Sequence, residues 1–356
     1  MRKILITGAA GFIGAHILDY FLRETEDELV LVDRLDMSGT LHRVKQILED
    51  VGGDAEKRVK FVWHDLKSPL NEFVSRKIGQ VDDVIHLAAS SHVDRSIEDP
   101  LSFIMDNVVG TTNLLRWAEQ GGMKHTWENP DAPISSYRGK KLYSGRFINF
   151  STDEVFGPAA VGHAHGEDEP HRPSNPYSAS KSGQEAIGYA FFITYGLPVV
   201  TTHTMNNFGQ MQHPEKLVPS TIRNVILGKE QPIFAELDPE SKLTSLKAVG
   251  SRYWIHGKNT ANAVKFLLEK GKAGESYNII GFDELTNLEI AQKVADIIGK
   301  PLIPKFVDFH RVRPGHDRRY ALDGSKMRDM GWKPIVNFEE SLKETIEWTL
   351  AHPEWQ

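Results

Sequence analysis

The run INFSTDEVFG, Ile148 to Gly157, carries an apolar segment into Ser151-Thr152 and then sets Asp153 and Glu154 side by side. Successive strand residues face opposite sides of a sheet. Both acids can serve one pocket only if the strand has ended and the chain is turning, as Glu154-Val155-Phe156-Gly157-Pro158 suggests. Downstream, NPYSASKSG places Pro176 at the first turn of a helix, with Tyr177 and Lys181 four apart on one face. A phenol titrates near ~10, too high for a base at neutral pH, and a cation one turn away favours the phenolate. Thr152 can hydrogen-bond a substrate oxygen or cap the turn.

A second motif supplies a reaction for these groups. TGAAGFIG sets Gly8, Gly11 and Gly14 directly after the first apolar run, with Phe12 and Ile13 opening a helix. Glycines there permit a tight turn and close approach of a pyrophosphate, and the helix N-terminus offers N–H donors. Asp33 stands 19 residues beyond Gly14, at the end of a second strand, where a carboxylate can accept from ribose hydroxyls. That anion repels a 2′-phosphate, so NAD is expected rather than NADP; Arg34 next to it could blur that preference but reads first as a solvated surface arginine. A positive nicotinamide near Tyr177 would favour the phenolate further, letting it take a proton while hydride leaves the same carbon.

Hydride transfer alone does not need Asp153 and Glu154. Once a sugar is oxidised at C4, its C5 hydrogen is acidic, lying α to a ketone. Glu154 as base and Asp153 as acid could then remove that proton and expel the C6 hydroxyl as water, hydride returning to C6.

These groups need a scaffold. The runs 3–8, 28–33, 59–65, 83–89 and 146–152 read as buried parallel strands, alternating with amphipathic segments such as 12–24 and 101–119. The fold expected is α/β, a Rossmann-like doubly wound parallel sheet with a smaller C-terminal substrate-binding α/β lobe. Residues 1–204 form the NAD-binding domain with the catalytic groups, and 205–356 mainly a nucleotide-sugar lobe intercalated with it. Segment 123–145 reads as an inserted excursion, and helical patterns recur at 286–299 and 337–351.

The 356 residues are 40% hydrophobic and 25% charged, with a net charge of −6 and no cysteine. Nucleic acid is not expected as a partner, and disulfides and thiolate metal sites are excluded. No run approaches the ~18 apolar residues of a membrane span. The glycine-broken N-terminus reads as a nucleotide site rather than a signal peptide. His163, His165 and His171 sit among acids in GHAHGEDEPH, which reads as a mobile polar loop with no scaffold to make a metal site. His92 reads as a packed polar residue.

From Lys3 to Trp348 the chain resembles the dTDP-glucose 4,6-dehydratases, nucleotide-sugar enzymes among the extended short-chain dehydrogenases/reductases. GAAGFIG, HLAASSHVDRSI, STDEVFG, PYSASK, NNFGQMQHPEKLVP and RPGHDRRYALD carry the resemblance in order. It implies a hydro-lyase of deoxysugar biosynthesis in which Thr152, Asp153, Glu154, Tyr177 and Lys181 are catalytic. It also implies cofactor contacts from Asp33, Arg34, Leu35, Asp36, Asp65, Leu66, Leu87, Ala88, Ala89, Tyr177, Lys181 and Asn207. For substrate it points to Ser91, Thr152, Asn206, Lys216, Arg252, Asn287, Arg313 and His316. It further implies a cytoplasmic homodimer, paired through 101–119 and 177–195. Three departures surround the nucleotide pocket: the long segment at 235–251 with Tyr253 after it, Gly257 to Asn259, and Val312. They leave dTDP, UDP, CDP and GDP sugars open. The rivals are a 4-epimerase or decarboxylase on the same fold, and a cofactor-binding scaffold without turnover.

Overall fold

The computed structural model describes residues 1–127, 141–237, 246–281, 284–308 and 319–355. Within them the chain forms two compact units: 1–155, 176–203 and 261–277, and 156–175, 204–260 and 278–356.

The first unit is built on β1 (Lys3–Thr7), β2 (Glu28–Asp33), β3 (Val59–Trp63) and β4 (Asp83–His86). A short antiparallel hairpin, β5 (His125–Trp127) and β6 (Lys141–Tyr143), flanks the undescribed 128–140. Then come β7 (Phe147–Thr152) and β8 (Val199–Thr204). The seven-stranded sheet runs β3-β2-β1-β4-β7-β8-β13, the last being Ser276–Ile279. Its strands β1, β4, β7 and β8 are almost wholly buried and show no polar alternation, although β8 buries Thr201, Thr202 and His203. β1 pairs in parallel with β2 on one side and β4 on the other. Strand order reverses there, and in open sheets of this kind ligands bind at the carboxyl ends of the strands flanking the reversal. Leu5, Val30, Val84 and Phe147 from the sheet close one core against Leu114, Leu115 and Trp117.

Helix α1 (Phe12–Glu24) lies where the sequence places it. The expected strands overrun by up to three residues because Gly8 already belongs to a turn and Leu87 to Ala89 lie beyond the end of β4. The expected helix 101–119 is interrupted. Pro100–Ile104 widens into a π turn at Met105–Val109 before Gly110–Trp117. In that turn the buried Asn107 accepts from Ser90 N (2.8 Å) and donates to Ser90 O (2.9 Å) and Ser180 Oγ (2.8 Å). An amide ties the loop after β4 to the helix Pro176–Tyr195, a demand that helical periodicity does not register.

The second unit contains β9 (Asn206–Phe208), β10 (Gln231–Leu237), β11 (Leu246–Val249), β12 (Ser251–His256), β14 (Glu284–Thr286) and β15 (Pro304–Asp308). The antiparallel β10–β11 pair brackets the undescribed 238–245 of the long segment. Helices Leu217–Leu227, Asn287–Ile298 and Phe338–Ala351 pack Ile222, Ile290, Val294 and Leu342 around Phe208 and Trp254.

Candidate active site

The glycine cradle begins where β1 meets β4. Gly8 has φ +70°, and a Cβ there would lie 2.7 Å from Ala88 N, so only glycine fits. A Cβ on Gly14 would lie 2.3 Å from Gly8 O. Helix α1 starts at Phe12 with no side-chain cap from Gly11, leaving its first-turn N–H groups for a ligand. Phe12 and Ile13 are half-buried in that turn. Asp33 ends β2 and accepts from Ala10 N (3.0 Å) and Leu35 N (2.8 Å), while burial raises its pKa. An uncapped helix N-terminus, glycines that admit a backbone-hugging ligand and a carboxylate at the end of β2 fit a dinucleotide.

Arg34 is not the solvated residue expected from sequence. Its guanidinium contacts Asp106 (2.6 Å), Asp36 (2.8 Å) and Asp65 (3.8 Å), so it is committed to neutralising acids. Asp36 also accepts from Ser38 N (2.9 Å), and its carboxyl is held below the usual range. Arg43, which sequence reading missed, is 2% exposed and donates to Ala10 O (3.0 Å) and Ser38 O (2.7 Å). It sits beside Val44 on the buried face of its helix, where periodicity signals only an apolar stripe. Leu66 is buried in the core. Leu87, Ala88 and Ala89 are half-buried after β4, and Ser91 is exposed. His92 caps the next short helix by accepting from Arg95 N (3.4 Å).

β7 ends at Thr152, and Asp153–Phe156 forms a single 3-10 turn. The two acids therefore leave the sheet together instead of splitting across its faces. Asp153 is 4% exposed and Glu154 half-buried. Thr152 Oγ1 donates to Asp153 Oδ1 (3.0 Å) and accepts from Glu154 N (3.4 Å). Tyr177, 8% exposed, is hydrogen-bonded to Thr152, with the Phe103 ring edge-on at 6.3 Å.

Lys181 is 3% exposed, and its ammonium donates to Phe150 O (2.5 Å) and Gln184 Oε1 (2.6 Å). Gln184 is itself fixed by Asn149 Oδ1 (2.7 Å) and Phe150 O (3.1 Å). Desolvation brings the ammonium down to about 7, opposed by the field of Glu185 one turn on. Glu185 accepts from Ser151 Oγ and lies 3.0 Å from His203 Nε2. Without the nicotinamide that the expectation also invokes, the phenolate is not favoured. Burial raises the Tyr177 pKa strongly, Glu154 and Asp153 raise it further, and only the Thr152 hydrogen bond opposes them. In the protein alone Tyr177 is a phenol. His86, also missed, bridges Thr7 and Thr111 hydroxyls at 2.7 Å each, and burial followed by Lys181 brings it down to about 3. It stays neutral and locks β4.

The first unit thus brings Thr152, Asp153, Glu154, Tyr177 and Lys181 together. Asn206, Asn207, Lys216, Arg252 and Asn287 belong to the second unit, and Val312, Arg313 and His316 lie outside the described residues. Asn207 donates to Met205 O (2.9 Å) and accepts from Thr260 Oγ1 (2.5 Å). Lys216 sits at the start of Leu217–Leu227, 3.7 Å from Glu215. Arg252 is 4% exposed over the Tyr320 ring at 4.3 Å. Asn287 opens the capped helix Asn287–Ile298.

The chain is similar to known proteins along its length. The sequence model of the GDP-mannose 4,6 dehydratase family matches residues 5–345. A dTDP-glucose 4,6-dehydratase of Salmonella typhimurium is 36% identical over 99% of this chain and 94% of its own length. One from Haemophilus influenzae is 35% identical over 98% of both. A solved dTDP-glucose 4,6-dehydratase of Streptomyces venezuelae, with NAD and TYD bound, superposes with a TM-score of 0.82 at 33% identity. That alignment covers 99% of this chain and 98% of the other.

Proposed function

The chain belongs to the nucleotide-sugar 4,6-dehydratase family, and from that premise we propose that it is an NAD-dependent hydro-lyase converting dTDP-glucose, or a related nucleotide hexose, to the 4-keto-6-deoxy sugar. Location in the cytoplasm and assembly as a homodimer are proposed on the resemblance. Among the described residues no helix is long and apolar enough to cross a membrane.

NAD bound in the cradle supplies the hydride acceptor for C4 and the hydride donor for C6, so the cycle is redox-neutral. Tyr177 takes the C4 hydroxyl proton, and Thr152 holds the same oxygen. The buried phenol is a weak acid by itself, so the positive charge of Lys181, together with that of a bound nicotinamide, would be what favours the phenolate. Glu154 removes the C5 proton, now α to a ketone. Asp153 protonates the C6 hydroxyl, the C6–O bond breaks and water leaves. The proton held by Glu154 returns to C5. Ser91 and Asn287 would position the sugar nucleotide with Asn206, while Lys216, Arg252, Arg313 and His316 would neutralise its diphosphate.

The turn that carries Asp153 and Glu154 off the end of β7, beside Thr152 and within the field of Tyr177, supports this reading best. Oxidation alone would leave both acids without a task. Incubation with dTDP-, UDP-, CDP- and GDP-glucose tests it. The expected result is a 4-keto-6-deoxy product absorbing in alkali, formed best from dTDP-glucose. A C4 isomer as sole product would make the enzyme an epimerase.

A further inference from the structure

Residues 156–175 separate the two catalytic elements in sequence, running from the Asp153–Phe156 turn to Pro176, and belong to the second unit. The composition of 162–171 reads as a loop without scaffold, and the structure overturns that. His165 N donates to Ala321 O (2.9 Å), and His165 O accepts from Asp323 N (2.9 Å) and Asn278 Nδ2 (3.0 Å). Arg319 donates to Ala160 O (2.7 Å) and His163 O (2.5 Å). The His165 ring stacks on Phe156 at 5.4 Å and 17°. Backbone position and one imidazole plane are therefore fixed before any ligand arrives.

Glu169 completes the group. Gly166 N donates to its Oε1 (3.0 Å), which turns Oε2 toward His165 Nδ1 (2.7 Å) and His163 Nε2 (3.2 Å). One ligand atom from each of His163, His165 and Glu169 lies within 4.8 Å of the other two. Four ligands at ~2.0–2.2 Å around a tetrahedral ion stand about 3.3 Å apart. The two separations from Glu169 Oε2, 2.7 Å to His165 Nδ1 and 3.2 Å to His163 Nε2, lie close to that value, so the site can close on an ion by small side-chain rotations. His171 faces the Phe156 ring edge-on at 5.3 Å and is not one of the three.

We propose that His163, His165 and Glu169 bind one divalent transition-metal ion of the zinc type, with water as fourth ligand, clamping the strap 156–175. Two imidazoles with one carboxylate suit such an ion, whereas magnesium and calcium prefer oxygen ligands. The site is separate from dehydration: none of Thr152, Asp153, Glu154, Tyr177 or Lys181 contributes to it.

The test is calorimetric titration of the chelator-treated full chain with Zn²⁺, alongside visible spectroscopy with Co²⁺. One saturable equivalent, a tetrahedral cobalt spectrum and a rise in Tm with zinc are expected. Glu169→Gln and His163→Ala should each weaken binding by about tenfold or more. The His163 side chain is 49% exposed and meets the His165 ring edge-on at 4.9 Å, so its removal takes away a surface contact and should leave zinc-free dehydratase activity unchanged. Absence of saturable binding overturns the proposal, as does zinc binding of wild-type strength in His163→Ala.

Discussion

The two ends of the first unit's site treat charge differently. At the cradle end the acids are met by a cation or by backbone N–H groups, although Arg43 is buried against two carbonyl oxygens. Arg34 bridges Asp36, Asp65 and Asp106, and Asp33 sits between two backbone N–H groups. At the far end the Lys181 ammonium is buried against two neutral carbonyl oxygens, and the Tyr177 phenol faces the fields of two acids. The first arrangement fixes a backbone shape for a ligand to lie on. The second holds Lys181 and Tyr177 at pKa values far from their ordinary ones, so that a bound substrate and cofactor can move protons between them.

Variants at the reactive end should show the largest effects. Tyr177→Phe is expected to slow transient reduction of bound NAD by about 10³-fold, read by stopped-flow absorbance. Glu154→Gln should still reduce NAD at C4, yet form 4-keto-6-deoxy product roughly 10²–10³-fold more slowly. Normal product formation there would remove Glu154 from its role. At the cradle, Gly14→Ala pushes a methyl to within 2.3 Å of Gly8 O. A loss of ~1–3 kcal/mol in stability is expected by denaturant unfolding, with weaker NAD binding.

Lys181→Met sharpens the comparison through pH. The native ammonium titrates near 7, below its unfolded value of 10.5. Between those values the unfolded chain binds more protons, so the cost of burying the charge is full below pH 7 and fades as pH rises toward 10. Relative to wild type, Lys181→Met should therefore be most stable near pH 6 and lose that advantage by pH 9.5, measured as the Tm difference. Arg34→Ala leaves Asp106, 8% exposed, without its guanidinium partner and should cost about 1–2 kcal/mol in stability, between the values for exposed and buried pairs.

Sequence shows the cradle more fully than the reactive end. Glycines after an apolar run and Asp33 at the end of the next have local signatures, and α1 lies as its pattern places it. The adjacency of Asp153 and Glu154 requires a turn, and the turn is there. The supports of the reactive end are tertiary. Asn107 sits in a π turn, Gln184 reaches Asn149 across 35 positions, and His86 lies inside a strand that reads as apolar. The Tyr177 protonation state could not be read from a lysine four residues away, because burial outweighs that neighbour. The histidines at 163 and 165 looked unsupported since their anchors, Asn278, Arg319 and Ala321, lie more than a hundred residues on.

Labelled substrate tests the central claim most directly. With dTDP-glucose deuterated at C4, the label should appear at C6 of the 4-keto-6-deoxy product. Deuterium retained at C4 of an isomerised hexose, or absent from C6, would contradict the assignment of Asp153 and Glu154 as the groups that turn an oxidation into a dehydration.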